Sequence, residues 1–225
     1  MGRRTFVDFW LRPPDLNVAK EMCKRAYDLG YSVLVVEVPK TMLEELESGA
    51  KEYGLELYSK VVAPAKTRSD VLKAATKFRH SYDVLTVHCL TRDAALVALR
   101  DGRVDTVVFR ASGFMAFDRH MLSVTRNHIE LVIADVISDK VALQKMRSIV
   151  RLIDTKGLNV IFSSCASNPV EQRGPFEVSC IVNVLGLNFE RSLDALSTTP
   201  LNILIRNRAK LFGEMVQEGV WLVKE

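Results

Sequence analysis

The stretch SVLVVEVPKTMLEELESGAKEYGLELYSKVV, residues 32–62, holds one full period of the chain's architecture. Its opening run, SVLVVEV, is almost continuously apolar rather than alternating, as in a strand of a parallel sheet buried on both faces. TMLEELESGAKEYG then shows the three-to-four spacing of an amphipathic helix, and Gly54 is placed to end it before the next strand run, LELYSKVV (55–62). Upstream, TFVDF (5–9) is followed by LNVAKEMCKRAYDLG, where Val18, Met22, Ala26 and Leu29 share a helix face and Gly30 is the stop. Downstream come DVLTV (83–87), DTVVF (105–109), IELVIAD (129–135), NVIF (159–162) and NILI (202–205). Helical patterns lie between them, among them SDKVALQKMRSIVRLIDTKG with Ser138 as N-cap and Gly157 as terminator. Strand starts are separated by roughly 20 to 30 residues, one strand plus one helix, until a last interval of roughly 40. Eight units predict an α/β fold, a (β/α)8 TIM-like barrel, as a single domain over residues 1–225. No GxGxxG or P-loop follows the first strand, which counts against a nucleotide-binding doubly wound sheet.

A chain of 225 residues that is 48% hydrophobic can bury one large core. No window approaches 18 consecutive apolar residues, and MGRRTFVDFWLRPP lacks the apolar core of a signal peptide, so a cytoplasmic protein without a membrane span is expected. Cys23, Cys89, Cys165 and Cys180 form no metal-ligand pair and read as free thiols of a reducing compartment. The net charge of +4 is too small for nucleic-acid binding by bulk charge alone, so the placement of charges matters more than their sum.

A barrel builds function from the loops after each strand. Strand one delivers Asp8, Trp10 and Arg12; strand two, Glu37 and Lys40; strand three, Lys66 and Arg68; strand four, His88 and Arg92. Strand five delivers Arg110, strand six Asp135, strand seven Ser163, Ser164 and Arg173, and strand eight Arg206 and Arg208. Either these cations are solvated loop charges, or they converge into one rim whose guanidinium forks suit phosphate. Arg110 is the most specific, since it follows the buried run DTVVF and precedes the small-residue loop ASGF.

Metal-hydrolase barrels commonly place a His-x-His pair at the end of strand one. Here that strand ends in VDFW, and of His80, His88, His120 and His128 only His88 falls at a strand's C-terminal end, so neither a metal site nor a catalytic constellation is expected. Ser163 and Ser164 lack a nucleophile elbow. A small phosphate-metabolite enzyme stays open as the alternative, with His88 or Asp8 moving a proton, as does a structural barrel that bridges proteins.

FVDFWLRPP, VLTVHCLTRDA, VVFRASGF and IFSSCASNPVEQRGPFEVSCIVNVLGL together resemble the barrel subunit of about 30 kDa in archaeal and eukaryotic ribonuclease P, over nearly the whole chain. In the last segment Arg173-Gly174-Pro175 and Leu185-Gly186-Leu187 stand in the family's places; Pro175 suits the first turn of a helix running to Leu185, with Arg173 projected toward the rim. The resemblance implies a barrel like that of the polymerase and histidinol phosphatase proteins without its metal histidines. It also implies that this chain is noncatalytic and binds no cofactor, while the RNA subunit with bound magnesium removes the 5′ leader of precursor tRNA. The implied partners are ribonuclease P RNA, precursor tRNA indirectly, and a small ferredoxin-like protein subunit in a two-plus-two heterotetramer. RNA contact would fall to Arg12, Lys66, Arg68, Arg92, Arg110, Arg173, Arg206 and Arg208. Eukaryotic members carry a longer polar tail, so an archaeal source is expected; in GEMVQEGVWLVKE, Val216, Val220, Trp221 and Leu222 read as a last barrel helix or a protein interface.

Overall fold

The computed structural model describes residues 4–213, 215–217 and 220–221, and seven of the eight apolar runs become strands. In order these are β1 (Val7–Leu11), α1 (Leu16–Asp28), β2 (Val33–Val36), α2 (Lys40–Glu52), β3 (Glu56–Ala65), α3 (Arg68–Phe78), β4 (Val84–Cys89), α4 (Arg92–Ala98) and β5 (Thr106–Phe109). There follow α5 (Arg119–Val124), β6 (His128–Val132), α6 (Ile133–Ser138), α7 (Lys140–Thr155), β7 (Val160–Ser163), α8 (Pro175–Leu185), α9 (Phe189–Asp194) and α10 (Thr198–Leu211). Strands β1 to β7 pair in sequence order and in parallel, forming a nearly closed TIM-like barrel. The N-cap of α7 is Asp139, whose carboxylate accepts from Val141 N–H, one residue beyond the predicted Ser138.

The eighth run is not a strand. NILI (202–205) lies inside α10, where Ile203 and Leu204 are buried and Ile205 is half exposed, a helical rather than alternating pattern. A four-residue apolar run cannot be assigned by periodicity alone, and the following RNRAKL continues the helix. Ile203 and Leu204 pack against Val7, Phe9, Val33, Val35, Tyr58, Val84 and Ile161, so α10 stops the N-terminal mouth of the barrel. The tail is not a helix either: Met215–Gln217 (β8) and Val220–Trp221 (β9) pair antiparallel, and Leu222 lies outside the described residues.

With seven strands, the gap between β1 and β7 is closed by other means. Val7 N–H donates to Leu196 O (2.8 Å), Arg12 N–H donates to Ala166 O (2.9 Å), and Leu11 and Ala166 form a single parallel bridge. Between them the Asp8 carboxylate accepts from the backbone N–H of Ser164 (3.3 Å) and Trp10 (3.4 Å), standing in for a missing strand edge. Its second oxygen is buried without a partner, and burial pushes the acid up to about 6.

The barrel interior is polar at its centre. Lys60 Nζ and Glu130 Oε1 lie 2.6 Å apart with both side chains fully buried, and Lys60 also donates to Phe9 O (2.9 Å). Glu130 accepts from Ser163 Oγ (2.8 Å) and Thr106 Oγ1 (2.8 Å), with Thr86 Oγ1 at 3.3 Å. A register break between Asp8 and Leu11 lets consecutive residues Phe9 and Trp10 both face the ammonium, each ring centroid 4.7 Å from Nζ. Burial pulls the Lys60 pKa down while Glu130 resists.

Lys60→Met should destabilise the protein by about 3–5 kcal/mol in denaturant unfolding, because Glu130 is left buried and unpaired, and adding Glu130→Leu should recover much of that loss. Because the folded-state pKa of Asp8 is raised, its ionisation opposes folding: stability should fall as pH rises from about 4 to 6, by up to about 3 kcal/mol from this group. Asp8→Asn should flatten that part of the stability–pH curve relative to the parent; identical slopes would refute the assignment.

Candidate nucleic-acid interface

The C-terminal mouth is organised by Arg110, the first residue after β5. Its guanidinium makes a two-pronged pair with Asp135 (Nη2–Oδ1 2.8 Å, Nε–Oδ2 3.2 Å), donates to Cys165 Sγ at 3.0 Å, and lies over the Trp10 ring at 5.4 Å. Asp135 also accepts from the Ala111 N–H at 2.9 Å, fixing the loop that leaves β5. Cys165 reaches this position through a left-handed backbone (φ 54°), unlike any other described non-glycine residue. Burial pushes its thiol up, against the pull of Arg110, Arg12 and Lys60. Across the mouth the Trp10 indole donates to Glu37 (2.8 Å).

His88 is partly buried beneath the loop after β5: a Cβ added at Gly113 would come within 2.9 Å of its Nε2. That nitrogen has no hydrogen-bond partner, and burial, with Arg110 beside it, lowers the pKa. A histidine closed over in this way is poorly placed as a general base. Asp8, the other proposed proton carrier, is fixed in the barrel seam rather than open to the mouth. Among the described residues no three His, Cys, Asp or Glu side chains converge as metal ligands, and no helix is long and apolar enough to cross a membrane.

Five of the eight predicted cations sit at this mouth. Lys66 and Arg68 flank Thr67, the N-cap of α3; Asp70 closes a capping box and also accepts from Lys66 N–H (3.1 Å), so the cap itself presents both side chains to solvent. Thr91 caps α4 and donates to Lys66 O (2.6 Å), bringing Arg92 beside them. Arg12 is exposed after β1. Arg92 is half exposed but forked onto Asp118 (3.0 and 2.9 Å), and Arg110 is mostly buried in its clamp. Of these five, Arg12, Lys66 and Arg68 are exposed and, among the described residues, without a hydrogen-bonded or ion-paired carboxylate, with Arg12 in the field of Glu37 and Glu171.

The other three lie elsewhere. The loop after β7 descends along α1, where Gln172 Nε2 donates to Met22 O (3.3 Å), and ends with Tyr31 Oη donating to Arg173 O (2.9 Å), just before β2 begins. Arg173 thus sits toward the N-terminal end, its Nη1 donating to Val170 O (2.7 Å) and Gln172 O (3.0 Å). Helix α8 starts at Pro175 and ends at Leu185 before Gly186, as expected. Arg206 and Arg208 follow from the helical identity of residues 202–205: both are on α10 at the N-terminal mouth. Arg208 stacks on Tyr58 (3.5 Å) and donates to Leu57 O (2.6 Å) and Glu56 (2.9 Å). Arg206 lies 4.0 Å from Asp105. The sequence reading missed the partners that occupy Arg92 and Arg110, because Asp118 and Asp135 are distant in the chain.

Residues 5–211 match the family model described as RNase P subunit p30. Ribonuclease P protein component 3 of Methanosarcina mazei is 26% identical over 226 residues, covering 92% of each chain. The Methanothermobacter thermautotrophicus protein of the same name is 27% identical over 98% of this chain and 96% of its own. The mouse ribonuclease P protein subunit p30 is 26% identical over 86% of this chain and 82% of its own. Among solved structures, a chain of the cryo-EM structure of archaeal ribonuclease P with mature tRNA superposes with a TM-score of 0.82 at 20% identity, covering 97% of this chain and 98% of that one. An amidohydrolase superposes at 0.62 with 9% identity, a likeness of fold. With the match running from before β1 to the last residue of α10, the chain belongs to the RNase P subunit p30 family.

Proposed function

We propose that this chain binds ribonuclease P RNA through its C-terminal mouth and supports that RNA in removing the 5′ leader of precursor tRNA, without carrying the cleavage chemistry itself. The family match over residues 5–211 carries this reading. Arg12, Lys66 and Arg68 are the residues best suited to meet phosphate, because their charges are exposed. Arg92 can share its half-exposed fork between Asp118 and an RNA oxygen, whereas Arg110 acts by holding the loop after β5 in place. Magnesium belongs to the RNA in this scheme.

The protein partner is a small ferredoxin-like subunit, in a two-plus-two assembly. Support for a protein interface comes from α8, where Phe176 and Val184, two turns apart on one face, are largely exposed. A cytoplasmic location and an archaeal source accord with the archaeal relatives that align over nearly the full chain.

In a reconstituted particle, changing Arg12, Lys66 and Arg68 together to Ala should lower precursor tRNA cleavage at moderate salt. It should also lower the log–log salt slope of RNA association by about 2–3, roughly 0.7–0.9 for each phosphate that is no longer neutralised. Unchanged cleavage and slope would refute the mouth as the RNA surface. Arg110→Ala should instead act on the fold, costing about 1–3 kcal/mol in urea unfolding as Asp135 loses its charged partner.

A further inference from the structure

The N-terminal mouth holds a second, separate concentration of positive charge. A cavity of about 480 Å³ opens between α10 and the loops that lead into β4, β5 and β6. Among the described residues Arg79, Arg103, Arg126, Arg206 and Lys210 line it, with Asp105 as the carboxylate of the lining and Asp101 paired to Arg103 beside it. That carboxylate is already committed: it pairs with Arg79, accepts from the Leu85 N–H (2.8 Å) and faces Arg206. One further nitrogen of Arg79, Nη2, is buried without a hydrogen-bond acceptor, leaving one donor of the paired guanidinium open. Arg103 forks onto Asp101. Arg126 and Lys210 are exposed, and among the described residues neither side chain has a hydrogen-bonding or ionic partner. His128 faces the same cavity; burial, with Arg206 beside it, lowers its pKa, and Asp105 opposes that shift.

We infer that this cavity is a second phosphate-binding site, which holds the backbone of the RNA at the opposite end of the barrel from the first. The inference rests on the RNA-binding reading above and adds a site to it. The chemistry is that of an oxyanion pocket: planar guanidinium donors, partly desolvated and so strengthened, around a space large enough for a sugar-phosphate unit. An acidic protein surface fits less well. Val104 and Leu211 are the apolar residues of the lining, too few for the water-excluding ring that protein hot spots need.

The test uses directed cleavage in the reconstituted particle. Cys180, the exposed thiol among the four cysteines, is changed to Ser, and a tethered iron–EDTA probe is placed through Gly102→Cys at the cavity or Ser69→Cys at the C-terminal mouth. A Cβ at Gly102 meets nothing within 4 Å, so the substitution is sterically free. RNA strand scission from position 102, at nucleotides distinct from those cut from position 69, is the expected result. Arg126→Glu with Lys210→Glu should abolish the cuts from 102 and lower the log–log salt slope by about 1–2 while leaving the cuts from 69. Scission from 69 alone overturns the second site but keeps the mouth as an RNA surface. Scission of a protein subunit rather than RNA from 102 overturns it in favour of a protein interface. A chain that fails to associate with the RNA at all, with both probes silent, overturns the RNA-binding reading on which the site rests.

Discussion

The ion pair between Lys60 and Glu130 sets the terms for the rest of the barrel. Two charges removed from water are tolerable only if each finds further partners; these come from four strands, Phe9 O on β1, Thr86 on β4, Thr106 on β5 and Ser163 on β7, so that with Lys60 on β3 and Glu130 on β6 the network engages six of the seven barrel strands. The pair therefore fixes register around the barrel, since a slip of one residue on any of these strands would turn its polar group outward. The bulge in β1 has its reason here: without it Phe9 and Trp10 would point to opposite faces, and the ammonium would lose one of its two aromatic neighbours.

From that centre the molecule divides into two ends of different construction. Toward the C-terminal mouth, Trp10, Val108, Val132 and Cys165 close over the pair, and above them Arg110 is clamped between Asp135, Cys165 and the Trp10 ring. Toward the N-terminal mouth, α10 inserts Ile203 and Leu204 as a stopper and anchors itself through Asn207 to Asp83 O (2.8 Å) and through Arg208. Each end thus spends some arginines on architecture and leaves other cations in solvent. Charge at a loop is not itself evidence of a ligand; charge without an internal carboxylate is the more discriminating observation.

The strands were legible because each is a continuous apolar run, and the helices between them because their spacing and glycine stops agree. NILI misled because four apolar residues fit a strand or a buried helix turn equally, and the deciding information, the solvent exposure of Asn202 and Ile205 around buried Ile203 and Leu204, exists only once the helix is docked. That one error carried Arg206 and Arg208 to the wrong end. Arg173 was misplaced for a different reason: a polar loop with prolines declares that it is a loop, not which way it runs, and Tyr31 and Met22 draw it down the barrel wall. Lys60 and Glu130 were visible as charges inside apolar runs, LELYSKVV and IELVIAD, a local contradiction that signals a buried partner without naming it.

The seam that replaces an eighth strand bears on how the chain assembles. β1 is synthesised first, but the carbonyl that receives its leading N–H belongs to Leu196, and Arg4 is pinned by Glu190 and Asp194. Until some 190 residues have emerged, the free edge of β1 has no partner on that side, and the pairing that closes the barrel has among the longest sequence separations in the molecule. The barrel therefore closes last at its first strand, leaving the nascent half-barrel with an open edge and an unplugged lumen, the kind of surface that molecular chaperones hold during synthesis.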